Sequence, residues 1–154
     1  MKFQKYALSY IVYSVHPFYV NILKRLIRMP KIYFCDTGLL CYLLSLDSKT
    51  LESHQLYGAI FENLAMGELL KSRLNIGRQP DISFFREHYR RGIDAMVPSD
   101  GLLDLYEIKS GKAFRQDYSQ NIDWLAERLD NAGWKTIIYD GESLPPQAIN
   151  IRDI

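Results

Sequence analysis

The sequence predicts an α/β fold in which helices flank a mixed central sheet. The prediction depends on the order of one helix, three strands, a second helix and a fourth strand, because such elements pack as layers around one core. Each helix is predicted from apolar residues at helical spacing and each strand from a short apolar run between turn signals. The six segments are 58–73, 82–86, 92–97, 103–109, 119–132 and 135–139.

The composition is that of a globular chain without a strong overall charge. At 154 residues, of which 47% are hydrophobic, the chain is large enough for a real core. The formal net charge of +1 means that any nucleic-acid site must be a local patch. Cys35 and Cys41 lack companions at metal-ligand spacing, which favours free thiols. Since the chain has neither a long apolar run nor a signal-peptide pattern, we expect a cytoplasmic protein without a membrane partner.

The first 47 residues are predicted to form an N-terminal segment that precedes the main domain at 48–154. A strand is expected over 10–15, ended by His16-Pro17 because proline lacks a backbone donor. Residues 20–29 follow with helical apolar spacing. The basic residues on another side of this helix are Lys24, Arg25 and Arg28. They are either a solvated face or a phosphate-contacting patch.

A second strand over 31–35 and a helix over 39–46 complete the N-terminal segment. Asp36 is well placed as an N-cap, because its carboxylate can accept from the free amides of the first helical turn. We therefore assign it a structural role and not a catalytic one. The polar residues 47–50 mark the predicted boundary.

The helix over 58–73 carries two glutamates in unusual positions. Its core side is predicted to be formed by Phe61, Leu64, Ala65 and Leu69. Glu68 projects near the middle of this apolar arc, and Glu62 lies at its edge. Because a buried carboxylate is costly unless it is paired or bound to a cation, each glutamate either bonds a core arginine or backbone amide, or belongs to a site.

The next three strands are predicted to form an antiparallel meander. The turn signal at 98–101 joins the second and third strands into a hairpin that brings Asp94 close to Glu107. Side chains alternate along a strand, so Glu107 and Lys109 share one face. These groups form a candidate site for a metal ion and a water molecule. The alternative is a surface ion pair, which contributes only about 0–1 kcal/mol.

The last predicted helix and strand close the sheet. The helix over 119–132 has an apolar stripe, and Gly133 stands at its end. The stripe consists of Ile122, Leu125, Ala126 and Leu129. Because this helix makes the crossover long, the strand over 135–139 is expected to lie parallel to the third strand of the meander.

At this point the residues resemble a known superfamily. Asp94, Glu107 and Lys109 look like the D-x(n)-E-x-K signature of the PD-(D/E)XK nucleases, whose core has the order αβββαβ. Glu62 would correspond to their helix-borne acidic residue. The spacing from Gly58 to Glu62 and from Asp94 to Glu107 is also similar to that of archaeal Holliday-junction resolvases. The resemblance implies a restriction-endonuclease-like fold.

A resemblance over nearly the full chain is to a C-terminal domain of prokaryotic AAA-type ATPases, known as domain of unknown function 4143. The segments that carry it are 31–40, 58–63, 68–70, 91–94 and 107–110. By this resemblance, residues 1–30 look like the tail of a winged helix. The sequence departs from the family at Gly92-Ile93-Asp94, where many members have Glu-Val-Asp. The chain has no P-loop motif, so an ATPase module would be a separate part that is absent from it.

The leading hypothesis is a Mg²⁺- or Mn²⁺-dependent nuclease-like domain that acts on or binds DNA. The predicted ligands are Glu62, Asp94, Glu107 and the carbonyl of Ile108, because Mg²⁺ prefers oxygen ligands. Lys109 would orient the attacking water, lower its pKa or stabilise developing negative charge. The predicted phosphate contacts are Arg86, Arg90 and Arg91. His88 is either an accessory group or a surface histidine.

A second hypothesis is a catalytically inactive module that regulates an AAA-type ATPase through protein contacts. In that case the acidic cluster binds no metal, and Phe84 and Phe85 belong to an interface. The expected partners are thus DNA and an ATPase module. A second copy of the chain, which would form a homodimer, is an open alternative.

Overall fold

A mixed β-sheet with helices packed on it forms the centre of the computed structural model, which describes residues 11–18, 29–87, 91–142 and 145–154. In these residues the strand order is β2-β1-β3-β4-β5-β6-β7. The strands are β1 (Val12–Pro17), β2 (Lys31–Phe34), β3 (Ser83–Arg86), β4 (Gly92–Ser99), β5 (Leu102–Lys109), β6 (Ala132–Tyr139) and β7 (Ala148–Asn150). The helices are α1 (Thr37–Leu43), α2 (Tyr57–Asn75) and α3 (Gln120–Ala126).

The predicted α/β class and the order of the core elements are confirmed. β3, β4 and β5 form the antiparallel meander, and β6 lies parallel to β5. β7 adds a further parallel strand beside β6. It was not predicted, because a strand of three residues is too short for an alternation pattern to be recognised.

The β4–β5 hairpin is closed by Asp100 and Gly101, as the turn signal predicts. Their φ angles are +50° and +85°, and the last strand pair is Ser99 with Leu102. Two successive residues with positive φ are typical of a type I′ turn, whose twist matches that of the paired strands. The turn thus sets the register in which β4 and β5 begin to pair.

β1 extends to Pro17, two residues beyond the predicted strand end at residue 15. Pro17 is its last residue and pairs in parallel with Phe84 of β3. Phe18 donates its backbone N–H to the Phe84 carbonyl over 2.7 Å. Successive residues of a strand direct their backbone N–H groups to opposite sides, so position 17 faces away from β3. A proline is therefore tolerated there, because its missing N–H removes no hydrogen bond to β3. The predicted helix over 20–29, with Lys24, Arg25 and Arg28, lies outside the described residues.

The N-terminal segment contributes β1, β2 and α1 to the same layered structure. β2 pairs antiparallel with β1 at an edge of the sheet. α1 begins two residues earlier than predicted, and Asp36 is its N-cap: its Oδ1 accepts from the Leu39 amide over 2.9 Å. Cys35 and Cys41 are free thiols, as predicted.

α3 is shorter than the predicted helix over 119–132. It ends at Ala126, and the last two residues of the predicted helix, Asn131 and Ala132, bond to or pair with Leu103 of β5 instead. A 3₁₀ turn over Gln116–Ser119 leads into α3. Ile122 and Leu125 are buried, as the apolar stripe predicts.

α2 is rotated relative to the prediction. Its buried positions are Ile60, Phe61, Asn63, Ala65, Met66, Gly67 and Leu69. Leu64 is 37% exposed, and the Glu68 carboxylate pairs with Lys71 over 2.7 Å on the outer surface. The predictions that Leu64 belongs to the core and that Glu68 projects into the apolar arc are therefore wrong. The cause is Asn63, which bonds to β2 and α1 and turns its side of the helix inward.

Asn63 ties α2 to the edge of the sheet through three hydrogen bonds. Its side chain accepts from the Phe34 amide over 2.7 Å, and donates to the Phe34 carbonyl over 3.1 Å and to the Thr37 hydroxyl over 2.9 Å. Asn63 is only 4% exposed. Water therefore cannot easily replace these bonds.

We expect Asn63→Ala to lower the free energy of unfolding by about 2 kcal/mol, because it leaves backbone groups of Phe34 without a partner. Urea denaturation measures this loss. Asn75→Ala, at the exposed end of α2, is the control and should change the free energy of unfolding by less than about 0.5 kcal/mol. Equal losses in the two variants would show that the Asn63 bonds do not hold α2 in place.

The two faces of the sheet carry separate apolar clusters. One lies under α2 and includes Tyr13, Tyr33, Phe61 and Phe84. The other lies under α3 and includes Phe85, Met96, Leu105 and Tyr139. Among the described residues, no helix combines the length and the apolar character required to span a bilayer.

Candidate functional site

β4 and β5 separate at the end opposite their turn, and the candidate site lies there. Their pairing runs from Ser99–Leu102 to Ala95–Tyr106, although β4 begins at Gly92 and β5 continues to Lys109. Continuation of the same register would set Asp94 opposite Glu107. The separation creates room for side chains between the two strands.

A bulge in β4 directs Asp94 into this opening. Ser83 of β3 pairs with Met96, but Phe85 pairs with Ile93, so β4 uses one residue more than β3 over the interval. Such a bulge bends the strand and re-aims the neighbouring side chain. Asp94 Oδ2 accepts from the Ile108 amide over 3.0 Å. The carboxylate thus bonds to the β5 backbone beyond the paired part of the hairpin.

Glu107 is a buried carboxylate whose two oxygens have different environments. It is 4% exposed, and its Oε1 accepts from Lys109 Nζ over 2.6 Å. Its Oε2 is buried and accepts no hydrogen bond of ordinary geometry among the described residues, and the Asn121 side chain is the other hydrogen-bonding group that acts on this carboxylate. Burial and the Asp94 carboxylate raise the pKa of Glu107 to about 7, although Lys109 and Asn121 act in the opposite direction. Burial beside Asp94 therefore disfavours the ionised form of Glu107, which is partly protonated near neutral pH.

Lys109 remains positively charged beside this carboxylate. Burial lowers its pKa, but the neighbouring Glu107 and the more distant Asp94 outweigh that effect and hold the pKa above its ordinary value. Its ammonium also lies 5.9 Å from the centre of the Tyr118 ring. At neutral pH Lys109 is a cation and not a general base.

Glu62 faces the same cluster from α2 and is held by two donors from β2. Its Oε1 accepts from Lys31 Nζ over 2.8 Å and from the Tyr33 hydroxyl over 2.6 Å. Burial raises the pKa of Glu62, but Lys31, Tyr33 and Arg86 together hold it below its ordinary value. Glu62 is therefore ionised well below neutral pH.

Lys31 joins Glu62 to Asp94. Its Nζ lies 3.5 Å from Asp94 Oδ1. Burial and Glu62 raise the pKa of Asp94, whereas Lys31, the Ile108 amide and Lys109 lower it, and the net direction is upward. The cluster thus contains three carboxylates and two ammonium groups in mutual electrostatic contact.

The predicted residues Glu62, Asp94, Glu107 and Lys109 thus lie in one cluster, and Ile108 contributes its amide to it. Glu68 lies outside it. Arg86 is exposed, and its charge reaches Glu62. Arg91 contacts Trp124 of α3 and not a cluster residue: its guanidinium stacks 4.6 Å from the centre of the Trp124 ring. Arg90 and His88 lie outside the described residues.

Sequence reasoning missed Lys31 and Tyr33. Both come from β2, and because side chains alternate along a strand they share one face. The sequence signal that could have identified them is a charged residue and a tyrosine two positions apart in the predicted strand over 31–35. It resembles the Glu107–Lys109 pattern, which the same alternation along a strand identified.

The cluster contains too few close ligands for a cage built only of protein groups. Within the part of the chain that the structure describes, no group of three or more His, Cys, Asp or Glu side chains is arranged to hold a metal ion. The Lys31 ammonium lies between two of the three carboxylates. Asp94 raises the pKa of Glu107, and Glu107 carries the buried oxygen that accepts no hydrogen bond among the described residues.

Comparisons with known proteins identify families of unknown function. The model of the family described as Domain of unknown function (DUF4143) matches residues 57–153, more than half of the chain. A second model, Domain of unknown function (DUF8612), matches residues 7–50. The first match includes Glu62, Asp94, Glu107 and Lys109, and the second includes Lys31.

Similar curated proteins are uncharacterized and longer. One from Mycobacterium bovis and one from Mycobacterium tuberculosis are each 42% identical to the chain over 136 residues. The matched region covers 86% of this chain but 29% of each relative. No solved structure matches the chain.

Proposed function

We propose that this chain, which belongs to the DUF4143 family, is a nuclease-like domain that acts on or binds DNA and depends on Mg²⁺ or Mn²⁺. The observation that carries the proposal is the buried, unpaired Oε2 of Glu107 beside the Asp94 carboxylate. A buried carboxylate oxygen without a donor is costly, and this cost is removed either by a proton or by a bound cation, of which only the cation leaves both carboxylates ionised.

The donor set is suited to a hard divalent cation. Mg²⁺ keeps several waters and is commonly bound through one or two carboxylates together with substrate phosphates. Asp94 and Glu107 would supply the two carboxylates, and the Ile108 carbonyl is a further candidate ligand. The lack of a three-carboxylate cage therefore agrees with the way in which proteins bind this ion.

The reaction class follows from what the neighbouring residues can do. A bound divalent cation would neutralise the scissile phosphate and lower the pKa of a water molecule. Lys109, a cation at neutral pH, would stabilise the negative charge that develops on the phosphate oxygens. Asp94 is oriented by the Ile108 amide, so its carboxylate is held before substrate arrives.

Exposed arginines, of which Arg86 acts on the cluster through Glu62, support a polyanionic substrate. Arg86 lies at the end of β3 and is exposed. Arg91 and Arg128 both stack on Trp124, with guanidinium carbons 4.6 and 4.5 Å from the ring centre. Guanidinium groups on an aromatic surface are typical of phosphate and base contacts in nucleic-acid-binding proteins.

The proposal is tested by incubating the purified chain with single-stranded, duplex and branched DNA in Mg²⁺ or Mn²⁺. We expect cleavage that EDTA stops and that Lys109→Met slows by about 100-fold, since it removes a charge from the transition state. Lys112→Met is the matched control, because Lys112 makes an equally short ion pair with Glu52 on the surface. No cleavage of any substrate, or equal rates in the two variants, would refute the enzymatic proposal.

A regulatory module of an ATPase is the second candidate, and the exposed surface of α1 favours it. Within the described residues α1 buries none of its side chains, and Tyr42 and Leu43 are 79% and 59% exposed. Exposed apolar residues next to one another are typical of protein interfaces. The greater length of the relatives allows an ATPase module in those proteins. A calorimetric Mn²⁺ titration separates the candidates, because binding that is lost in Glu107→Ala contradicts a purely structural cluster.

A further inference from the structure

Lys31 occupies the space between two carboxylates of the cluster. Its ammonium is 2.8 Å from Glu62 Oε1, 3.5 Å from Asp94 Oδ1 and 5.2 Å from the centre of the Phe84 ring. The side chain is 21% exposed. It reaches this position from the edge strand β2, so three separate elements meet at one positive charge.

Oε1 of Glu62 already accepts hydrogen bonds from two protein donors. The Tyr33 hydroxyl donates to the same Oε1 that accepts from Lys31. Tyr33 is itself fixed, since it is buried and stacks on Tyr13 with ring centres 5.7 Å apart. Two protein donors on one oxygen leave that atom saturated.

Glu107 differs from Glu62, because one of its oxygens accepts no hydrogen bond among the described residues. Its Oε2 is buried without a partner among the described residues, and Lys109 bonds only Oε1. With all three carboxylates ionised, as ligands of a cation must be, the three carboxylates and two ammonium groups leave one net negative charge. A single divalent cation suffices to offset it, whereas two would leave a large positive excess in a partly buried site.

We propose that Lys31 is a built-in counterion that takes the place of a second divalent cation between Glu62 and Asp94. The centre then binds one divalent cation, at Asp94 and Glu107, and Glu62 is a positioning residue and not a ligand. This inference rests on the proposed function for the single bound cation, but it makes a separate statement about Lys31. It differs from the sequence-based expectation that Glu62 ligates the metal.

The test counts bound Mn²⁺ by electron paramagnetic resonance and calorimetry. We expect one Mn²⁺ in the natural chain and two in Lys31→Met, because loss of the ammonium leaves Glu62 and Asp94 facing each other without a cation. The second Mn²⁺ should disappear in Lys31→Met combined with Glu62→Gln. Lys71→Met is the matched control, since Lys71 pairs with Glu68 of the same helix over 2.7 Å, and it should leave the count at one.

A second variant keeps the test decisive if Lys31→Met does not fold. Glu62→Gln in the natural background should still bind one Mn²⁺, because Glu62 is not a ligand, while Asp94→Asn should lose binding. Circular dichroism confirms that each variant is folded.

The outcomes separate this inference from the proposed function. Two Mn²⁺ in the natural chain, a count of one in folded Lys31→Met, or loss of binding in Glu62→Gln would each overturn the role of Lys31. If the natural chain binds no Mn²⁺ but Lys31→Met binds one that Glu62→Gln removes, the counterion role stands and the metal-dependent function fails.

Discussion

Asp94→Asn is expected to abolish Mn²⁺ binding and to lower the rate of metal-dependent DNA cleavage by about 1,000-fold or more, which corresponds to several kcal/mol of transition-state stabilisation. The asparagine keeps an oxygen that can accept from the Ile108 amide, so the local backbone contact survives. Only the charge is lost. The measurement combines calorimetric titration with single-turnover cleavage rates.

Asp104→Asn is the matched control for this substitution. Asp104 is also buried on the same hairpin, and its Oδ1 accepts from the Trp134 amide over 2.8 Å. It pairs in register with Val97, toward the turn and away from the strand separation. We expect it to retain Mn²⁺ binding and cleavage. If both variants lost activity to the same extent, the loss would reflect damage to the hairpin and not removal of a ligand.

The second large effect concerns the dependence of stability on pH in the absence of metal. Burial and Asp94 raise the pKa of Glu107 from its ordinary value of 4.5 to about 7. Between these values the folded chain keeps a proton that the unfolded chain has lost. The free energy of unfolding should therefore fall as the pH rises from 4.5 to 7, by about 3 kcal/mol for this group.

The other two carboxylates change the free energy of unfolding with pH in opposite directions. The pKa of Asp94 is also raised, so Asp94 adds to the loss of stability with rising pH. The pKa of Glu62 is lowered, so its contribution is present above its ordinary pKa and is lost as the pH falls below that value. We therefore expect the stability from this cluster to be highest at mildly acidic pH.

Urea denaturation from pH 4.5 to 8 in EDTA measures this dependence. Glu107→Gln should remove most of the slope, because glutamine does not titrate. Glu68→Gln, on the outer surface of α2, serves as the control and should leave the slope unchanged. A natural chain that becomes more stable between pH 5 and 7 would contradict the raised pKa of Glu107.

The sequence was sufficient for the core elements of the fold and for the principal pair of the site. Alternation and helical spacing identified α2, β3, β4, β5 and β6, because these patterns arise from local geometry. The Asp100-Gly101 turn fixed the register of the hairpin, since a two-residue turn determines which residues face each other. Continuation of that register sets Asp94 opposite Glu107.

The two glutamates of α2 show where local patterns stop being informative. Glu62 and Glu68 lie on the same helix, and spacing alone favoured Glu68 as the more deeply placed. The structure reverses this, because Asn63 bonds to β2 and turns the helix so that Glu62 faces the cluster and Glu68 faces outward. The rotation of a helix about its axis depends on contacts with distant parts of the chain.

What the sequence by itself determined is therefore the α/β class, the hairpin and the acidic pair that its turn brings together. Only the tertiary structure decided that Lys31 and Tyr33 bind Glu62, that a bulge directs Asp94 between the strands, and that one oxygen of Glu107 is left unpaired. Lys31 is 31 residues from Glu62 and lies on an edge strand. A local pattern describes only neighbours along the chain, whereas the charge balance of a buried site depends on groups that folding brings together from separate elements.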